Sequence, residues 1–465
     1  MNYEPILYNT IAGFAREQRI SFHMPVHGGG MLFDPQVREM FLQLDLTELD
    51  ATDNLANPTG PIAQTHQNMA RLFGADNAHL LVGGSSAGLH AMLLACLRRG
   101  DTVLVDRCVH QSVLNACTLY GFQPVFFERT LLDGFSIPGK VELSSLRHAA
   151  EENPHAKAVL ITTPTYYGIC SDVAAIADIA HRHNMALLAD CAHGPHFTFC
   201  DKLPNIPTED GADLCVLSLH KTLGAPTQTA LLLHKTERVS FPRVKACINM
   251  VHTTSPSYLL LCAADLVCAK MAAEGDALFS RAVKLTKFIK DVLEQDTNLR
   301  CLPDGGDLTR LVVNVSAYAL SGYAAADMLD KKYGIDVEMA DLYNIVCIIG
   351  PLTAQADADA LVCALRCVVA EAGPARGTQP VLPPLPQIWM VQDMNAAFFS
   401  DTVCIPLSDS IGRVSAATVS VYPPGIPCLV PGAQITAKAL CYLEAVRTAG
   451  GAVTGLEGES IVVKK

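Results

Sequence analysis

Ser218-Leu219-His220-Lys221-Thr222-Leu223-Gly224-Ala225 follows without a break on the apolar run Asp213-Leu214-Cys215-Val216-Leu217. The run reads as a buried strand, and it delivers a serine, a histidine and a lysine at its end. A lysine there is uncommon, because burial disfavours the ammonium. The same loss of basicity suits an amine that must attack a carbonyl. Earlier in the chain a second apolar run, Ala186-Leu187-Leu188-Ala189, ends in Asp190 and continues as Cys191-Ala192-His193-Gly194. An acid at one strand end and a lysine at a later one is the pair that pyridoxal phosphate chemistry requires. The lysine, Lys221, holds the aldehyde as a Schiff base, and the carboxylate of Asp190 keeps the pyridine nitrogen protonated.

Two further segments fit the same ligand. Leu80-Leu81-Val82 leads into Gly83-Gly84-Ser85-Ser86-Ala87-Gly88, a tight turn before a helix. Its small residues, Ser85, Ser86 and Ala87 among them, let backbone N–H groups close on a phosphate at the helix N-terminus. Arg107-Cys108-Val109-His110-Gln111-Ser112 follows the strand Val103-Leu104-Val105-Asp106, which puts the His110 imidazole where it can stack on a pyridine ring. Ser218 and His220 flank the lysine as candidate phosphate donors. Taken singly, each has an ordinary explanation: a helix start, a loop histidine, an N-cap, a snorkelling lysine. All four in this order in one α/β unit point to the cofactor. A metal fits less well. His193-Gly194-Pro195-His196 and His181-Arg182-His183 lack helical ligand spacing, and no acid or cysteine cluster completes a site.

The whole chain sets the frame. Its 465 residues exceed one hydrophobic core, so two or three domains are expected. With 50% hydrophobic and 17% charged residues it is a packed globular chain, and a net charge of −12 excludes the basic face of a nucleic-acid binder. The 17 cysteines contain no CxxC pair and the first residues lack a secretory pattern, so reduced thiols and a cytoplasmic location are expected. The longest apolar run, Tyr258-Leu259-Leu260-Leu261-Cys262-Ala263-Ala264, is too short to span a membrane and reads as a core helix. All 15 histidines lie between His23 and His252, a confinement that hints at reactive chemistry in the first half.

Strands are expected at residues 80–82, 102–105, 124–127, 158–162, 186–189, 214–217 and 230–234, with helices such as 89–98 and 172–183 between them. This alternation predicts an α/β fold with a mostly parallel sheet of seven strands, covered on both faces. Residues 1–60 form an arm, with an amphipathic helix over 1–20 (Ile6, Leu7, Ile11, Phe14, Ala15) and loops after it. Residues 61–295 form the large domain, and a helix runs from about Glu274 to Gln295. A smaller α/β domain occupies 296–375, with strands near 311–315 and 345–349. A Pro/Gly-rich linker over 373–388 leads into a C-terminal module at 376–465.

These motifs resemble the pyridoxal-phosphate-dependent ornithine/lysine/arginine decarboxylases of bacterial type, in the short form without an N-terminal wing domain. Phe22-His23-Met24-Pro25-Val26-His27 is similar to the family's F-H-M-P-G-H, and Asp53-Asn54-Leu55 to its D-x-L. Gly84 to Gly88 resembles G-S-T-x-G, Arg107 to Ser112 resembles R-N-x-H-K-S, and Thr163-Pro164-Thr165-Tyr166-Tyr167-Gly168 resembles S-P-T-Y-Y-G. The lysine segment resembles S-x-H-K-T-L, Thr253 to Tyr258 resembles T-S-P-S-Y, and Tyr422 to Pro427 matches Y-P-P-G-I-P. The resemblance implies the aspartate-aminotransferase-like architecture (fold type I) and decarboxylation of arginine, lysine or ornithine. It implies Lys221, Asp190, His110 and His220 as catalytic residues, and adds His193 and Thr254 to the cofactor contacts. Thr254 reaches the neighbouring subunit's phosphate, which implies a homodimer with shared active sites, extending to higher oligomers. Departures lie on the substrate side. Cys191 stands where the family's D-E-A-H has its glutamate, Val26 replaces a glycine, and Ala433 in Pro431-Gly432-Ala433 replaces the glutamate of P-G-E. Transamination, another lyase reaction, or a non-catalytic cofactor-binding regulator are the competing readings. His220 and Cys191 are candidate proton donors, and Arg413 a candidate for shaping the pocket.

Overall fold

The apolar runs that flank the lysine segment assemble into one twisted sheet. In the computed structural model, which describes residues 16–17, 19–375, 382–423 and 425–465, seven strands form it. They are β1 (Asn77–Leu81), β2 (Thr102–Asp106), β3 (Gln123–Phe127), β4 (Ala158–Thr162), β5 (Ala186–Asp190), β6 (Leu214–Leu217) and β7 (Ala230–His234). The spatial order is β1-β7-β6-β5-β4-β2-β3. Only β7 runs antiparallel to its neighbours. The inner strands are apolar throughout because both faces are covered. Alternate residues serve opposite sides: Leu104, Val159, Ile161 and Leu187 enter one core, while Val103, Val105, Leu160 and Leu188 enter the other.

Strand positions from the sequence hold to within a few residues, but the helices differ. The segment Tyr258–Asp296 is one helix of 39 residues, where two separate helices had been expected. Gly275 hides the continuity in the sequence. A Cβ there would lie 2.8 Å from the Phe199 side chain, so the glycine marks close packing rather than a break. The last third of this helix (Ala282, Leu285, Ile289, Leu293) enters the core of a four-stranded sheet built from Arg300–Cys301, Arg310–Asn314, Asn344–Ile348 and Met339–Ala340. Most of the expected helix over 1–20 lies outside the described residues. Its last position instead opens the strand Ile20–Phe22, which pairs in parallel with Ile335–Val337.

Beyond residue 385 a separate apolar core gathers Leu407, Val419, Leu429, Leu443, Ile461 and Val463 under the helix Ala437–Thr448. The buried Arg107 guanidinium, just past β2, donates to the carbonyls of Pro427 and Pro386 and ties this module to the large sheet. Among the described residues no helix is long and apolar enough to cross a membrane.

Candidate active site

The C-terminal ends of β1, β2, β5 and β6 lie along one edge of the sheet, where open α/β sheets bind their ligands. A cleft of about 470 Å3 opens there. Ser85, His110, Asp190, His193 and Lys221 line its floor and sides, and Thr418, Ser420, Tyr422 and Thr454 of the C-terminal module roof it. Asp190 is the only carboxylate among the described residues that line it.

Lys221 sits in the short helix Leu219–Thr222 that follows β6. Its Nζ lies 2.9 Å from His193 Nε2. Burial first, and then the nearby Arg310 charge, lower the basicity of Lys221, against the opposing pull of Asp190 and Glu338. His193 is buried, and burial foremost pushes its pKa far below the ordinary value, so it is a neutral imidazole. The Tyr166 ring lies against it, centroids 4.7 Å apart and tilted by 57°. Asp190 closes β5; its Oδ1 accepts a hydrogen bond from the Ala192 N–H at 3.2 Å. His110 caps the helix Gln111–Tyr120, and its Nδ1 accepts from the Ser112 N–H and sits 2.8 Å from the Ser112 hydroxyl. Nδ1 is thus committed to the cap, which fixes the ring at the edge of the cleft. Burial lowers the His110 pKa and Lys221 adds to the effect, while Asp190 opposes it.

The other sequence candidates are distributed unevenly. Ser85 starts the helix Gly84–Cys96 and lines the cleft, while Ser86 and Ala87 share its turn without lining it. A Cβ at Gly88 would lie 2.6 Å from Val216, so the glycine lets this helix, and the N–H groups of its first turn, sit close on the sheet. Ser218 is fully buried, and its hydroxyl has no hydrogen-bond partner among the described residues. His220 does not face the cleft; its Nδ1–H donates to the Thr229 carbonyl at 2.8 Å. Thr254 is exposed and does not line the cleft. Cys191 is wholly buried in the core beside the sheet, and burial pushes its thiol pKa well up. The expected pocket residue Arg413 instead donates to the Lys464 carbonyl, away from the cleft.

Three charged residues behind the cleft escaped the sequence reading. The Arg310 guanidinium is buried and lies 3.4 Å (Nη2) from His193 Nδ1. Asp307 accepts from His196 Nε2–H and from Thr309. Glu338 accepts from the Tyr166 hydroxyl and from the Met24 N–H. Arg310 carried the same signal as Lys221, a charge against an apolar strand, but at the strand's start.

The arrangement fits the expected cofactor. An amine of lowered basicity, a buried carboxylate at a neighbouring strand end and the imidazole of His110 share one cleft. The unpartnered Ser218 hydroxyl and the helix turn at Ser85 supply unspent donors. Comparison with known proteins agrees. The model of the Orn/Lys/Arg decarboxylase major domain matches residues 5–303, and that of its C-terminal domain matches residues 385–461. An arginine decarboxylase of Bacillus subtilis is 34% identical, covering 99% of this chain and 97% of that protein. Among solved structures, lysine decarboxylase A from Pseudomonas aeruginosa superposes with a TM-score of 0.78 at 20% identity, over 99% of this chain and 80% of that one. Pyridoxamine-pyruvate aminotransferase from Mesorhizobium loti superposes with a TM-score of 0.60 at 16% identity, over 81% and 95%. The fold is therefore the aspartate-aminotransferase-like one, and the chain belongs to the Orn/Lys/Arg decarboxylase family.

Proposed function

We propose that arginine is the basic amino acid that this decarboxylase converts to its amine and CO2, with pyridoxal phosphate as cofactor. The observation that carries the reading is the meeting of Lys221, Asp190 and His193 in one cleft of a chain whose 34% identical relative is an arginine decarboxylase. Pyridoxal phosphate, when bound, supplies an electron sink for the pair left behind as CO2 departs.

The protein's own residues prepare that step. Lys221 would anchor the cofactor, its lowered basicity leaving the amine free to do so. Asp190 would hold a proton on the ring nitrogen, and His110 would stack on the ring. Ser85, the N–H groups of its helix turn, and Ser218 receive the phosphate. No arginine lines the cleft among the described residues, so the departing carboxylate is not clamped by a guanidinium. A weakly paired carboxylate leaves more readily than a tightly held one.

The basic end of the substrate needs an anion, and Asp190 is committed to the cofactor. We propose that a second copy of the chain supplies it, in a homodimer with shared sites. Thr254 is exposed, and the arm before residue 50 carries Met31, Leu42, Leu46 and Leu49 at 51–82% exposure, an apolar surface that a partner would cover. We further propose that residues 61–295, 296–375 and 376–465 act as the working units behind the arm; the separate apolar cores support this.

The test is incubation of the protein and pyridoxal phosphate with arginine, lysine, ornithine and neutral amino acids, the amines being identified by mass spectrometry. An amine from arginine alone supports the reading. An amine only from another basic amino acid moves the substrate. Release of a 2-oxo acid in place of CO2 overturns the reaction.

A further inference from the structure

Arg310 is a buried charge whose hydrogen-bonding capacity is mostly unspent. Its side chain is 1% exposed, and Nε and Nη1 have no hydrogen-bond partner among the described residues. The nearest carboxylate oxygen, Asp307 Oδ2, is 3.8 Å from Nε, in an ion pair without a hydrogen bond. Asp307 itself is fixed: its Oδ1 accepts from His196 Nε2–H at 3.0 Å and from the Thr309 hydroxyl at 2.6 Å. The Arg310 stem is fixed as well. Gly168 lies so close, at φ +85°, that a Cβ there would meet Arg310 Cβ at 2.7 Å. Arg310 does not line the cleft, so it is not a substrate contact in this geometry. Leaving a buried guanidinium so poorly paired is costly, and its one directed contact is His193 Nδ1.

That contact fixes the sense of a hydrogen-bond chain. A guanidinium only donates, so His193 Nδ1 accepts. A neutral imidazole that accepts at Nδ1 carries its proton on Nε2. The Nε2–H then points at Lys221 Nζ, 2.9 Å away. Only an amine with a lone pair can accept there; an ammonium would set donor against donor. We infer that Arg310, acting through His193, holds Lys221 as a free amine before the cofactor arrives, and is thus a positioning residue for the reaction. The inference rests on Lys221 being the lysine that takes the cofactor.

The charges facing Lys221 are Asp190, Glu338 and Arg310, with His110, His193 and His220 nearby. The two carboxylates favour the ammonium, and both have other partners: Asp190 accepts from Ala192, Glu338 from Tyr166 and Met24. Burial and Arg310 act the other way.

The test uses cofactor-free protein, so it is read without turnover. Lysines are pulse-labelled with an amine acylating reagent from pH 6 to pH 11, and the Lys221 peptide is quantified by mass spectrometry against the other lysines. Lys221 of the natural protein is expected to reach half-labelling at least about one pH unit below the exposed lysines. Arg310→Met should raise that midpoint by about one unit, so that Lys221 labelling near pH 8 falls about tenfold. Arg310→Lys, which keeps a charged donor, should restore most of it. A role in packing alone would leave the midpoint in place. An unchanged midpoint in folded Arg310→Met overturns the inference. If that variant does not fold, His193→Phe breaks the same chain with the guanidinium in place, and an unchanged midpoint there is equally decisive. Failure of the cofactor assignment is seen separately, as cofactor absorbance that persists in Lys221→Ala.

Discussion

The floor and the roof of the cleft are assembled in opposite ways. The floor is local: Ser85, His110, Asp190, His193 and Lys221 each stand within a few residues of the end of a strand of one sheet. The roof is remote: Thr418, Ser420, Tyr422 and Thr454 arrive from a module with its own core, held over the sheet by Arg107. A strand end fixes a side chain by backbone geometry, so the floor tolerates little change of residue type. A roof placed by packing between units can change its side chains without disturbing the sheet. The departures from the family pattern do not sort by this contrast: Cys191 adjoins Asp190 at the floor, and Val26 stands in the arm. Ala433 is in the roof-bearing module, but it is buried in the core under the sheet and lines no cleft.

The contrast breaks first at the floor if it breaks at all. Lys221→Ala should reduce turnover to background while circular dichroism and the melting temperature stay close to those of the natural protein, because the Lys221 side chain makes a single hydrogen bond among the described residues. Normal turnover in that variant would remove the floor from the chemistry. Asp190→Asn keeps the shape of the β5 end and removes the charge. Turnover should fall by on the order of a hundredfold or more, the scale of one lost preorganised electrostatic contact, with KM changed much less. A rise in KM at constant kcat would assign Asp190 to substrate binding instead.

The same contrast explains what the sequence made legible. Apolar runs ending in single polar residues were visible because the sheet buries both faces, so β4, β6 and β7 were placed to the residue and the floor with them. Arg310, Asp307 and Glu338 come from the small sheet and its approaches, and their nearness to His193 and Tyr166 exists only in the folded chain. The confinement of histidines to the first half was visible but misleading. Of the 15, only His110 and His193 line the cleft. His66, His79, His220, His234 and His252 instead satisfy backbone groups at strand ends, such as the Leu80 N–H, the Leu80 carbonyl, the Thr229 carbonyl, the Val239 carbonyl and the Val82 N–H. A buried sheet edge needs such partners, and an imidazole supplies either a donor or an acceptor.

The roof is tested next, and its loss should be graded. Arg107→Ala strips the hydrogen bonds from the buried carbonyls of Pro427 and Pro386. Leaving buried acceptors unmet costs about 1–3 kcal/mol each, so urea denaturation should show a loss of about 2–6 kcal/mol. The C-terminal module would then sit less firmly over the cleft, and KM should rise more than kcat falls. A variant with full stability and unchanged KM would show that the module is held by its apolar contacts alone.

The smallest effect belongs to the floor's supporting histidines, and it is a matter of pH. His66 and His79 stand side by side near β1, ring centroids 4.6 Å apart, and are 8% and 1% exposed. Burial, with His79 adding to it, holds His66 at about 3; burial, with His252 adding to it against the opposing Leu80 carbonyl, holds His79 at about 4. A base whose folded pKa is depressed takes up its proton only on unfolding. Below the ordinary histidine value near 6.5, the unfolded chain therefore binds protons that the folded chain refuses. The stability these two residues allow is fully present above about pH 6.5 and is lost as the pH falls towards 4. The loss is at most about 2 kcal/mol per histidine between pH 7.5 and pH 5. His79→Leu removes the group that must be protonated. It forfeits the hydrogen bond to the Leu80 carbonyl, about 1 kcal/mol at neutral pH, and should flatten the acid limb by its share. The natural protein should have the higher urea midpoint at pH 7.5, and that advantage should shrink and then reverse towards pH 5. Parallel curves would mean that other groups carry the acid sensitivity and that the histidines beside the floor are already protonated in the folded chain.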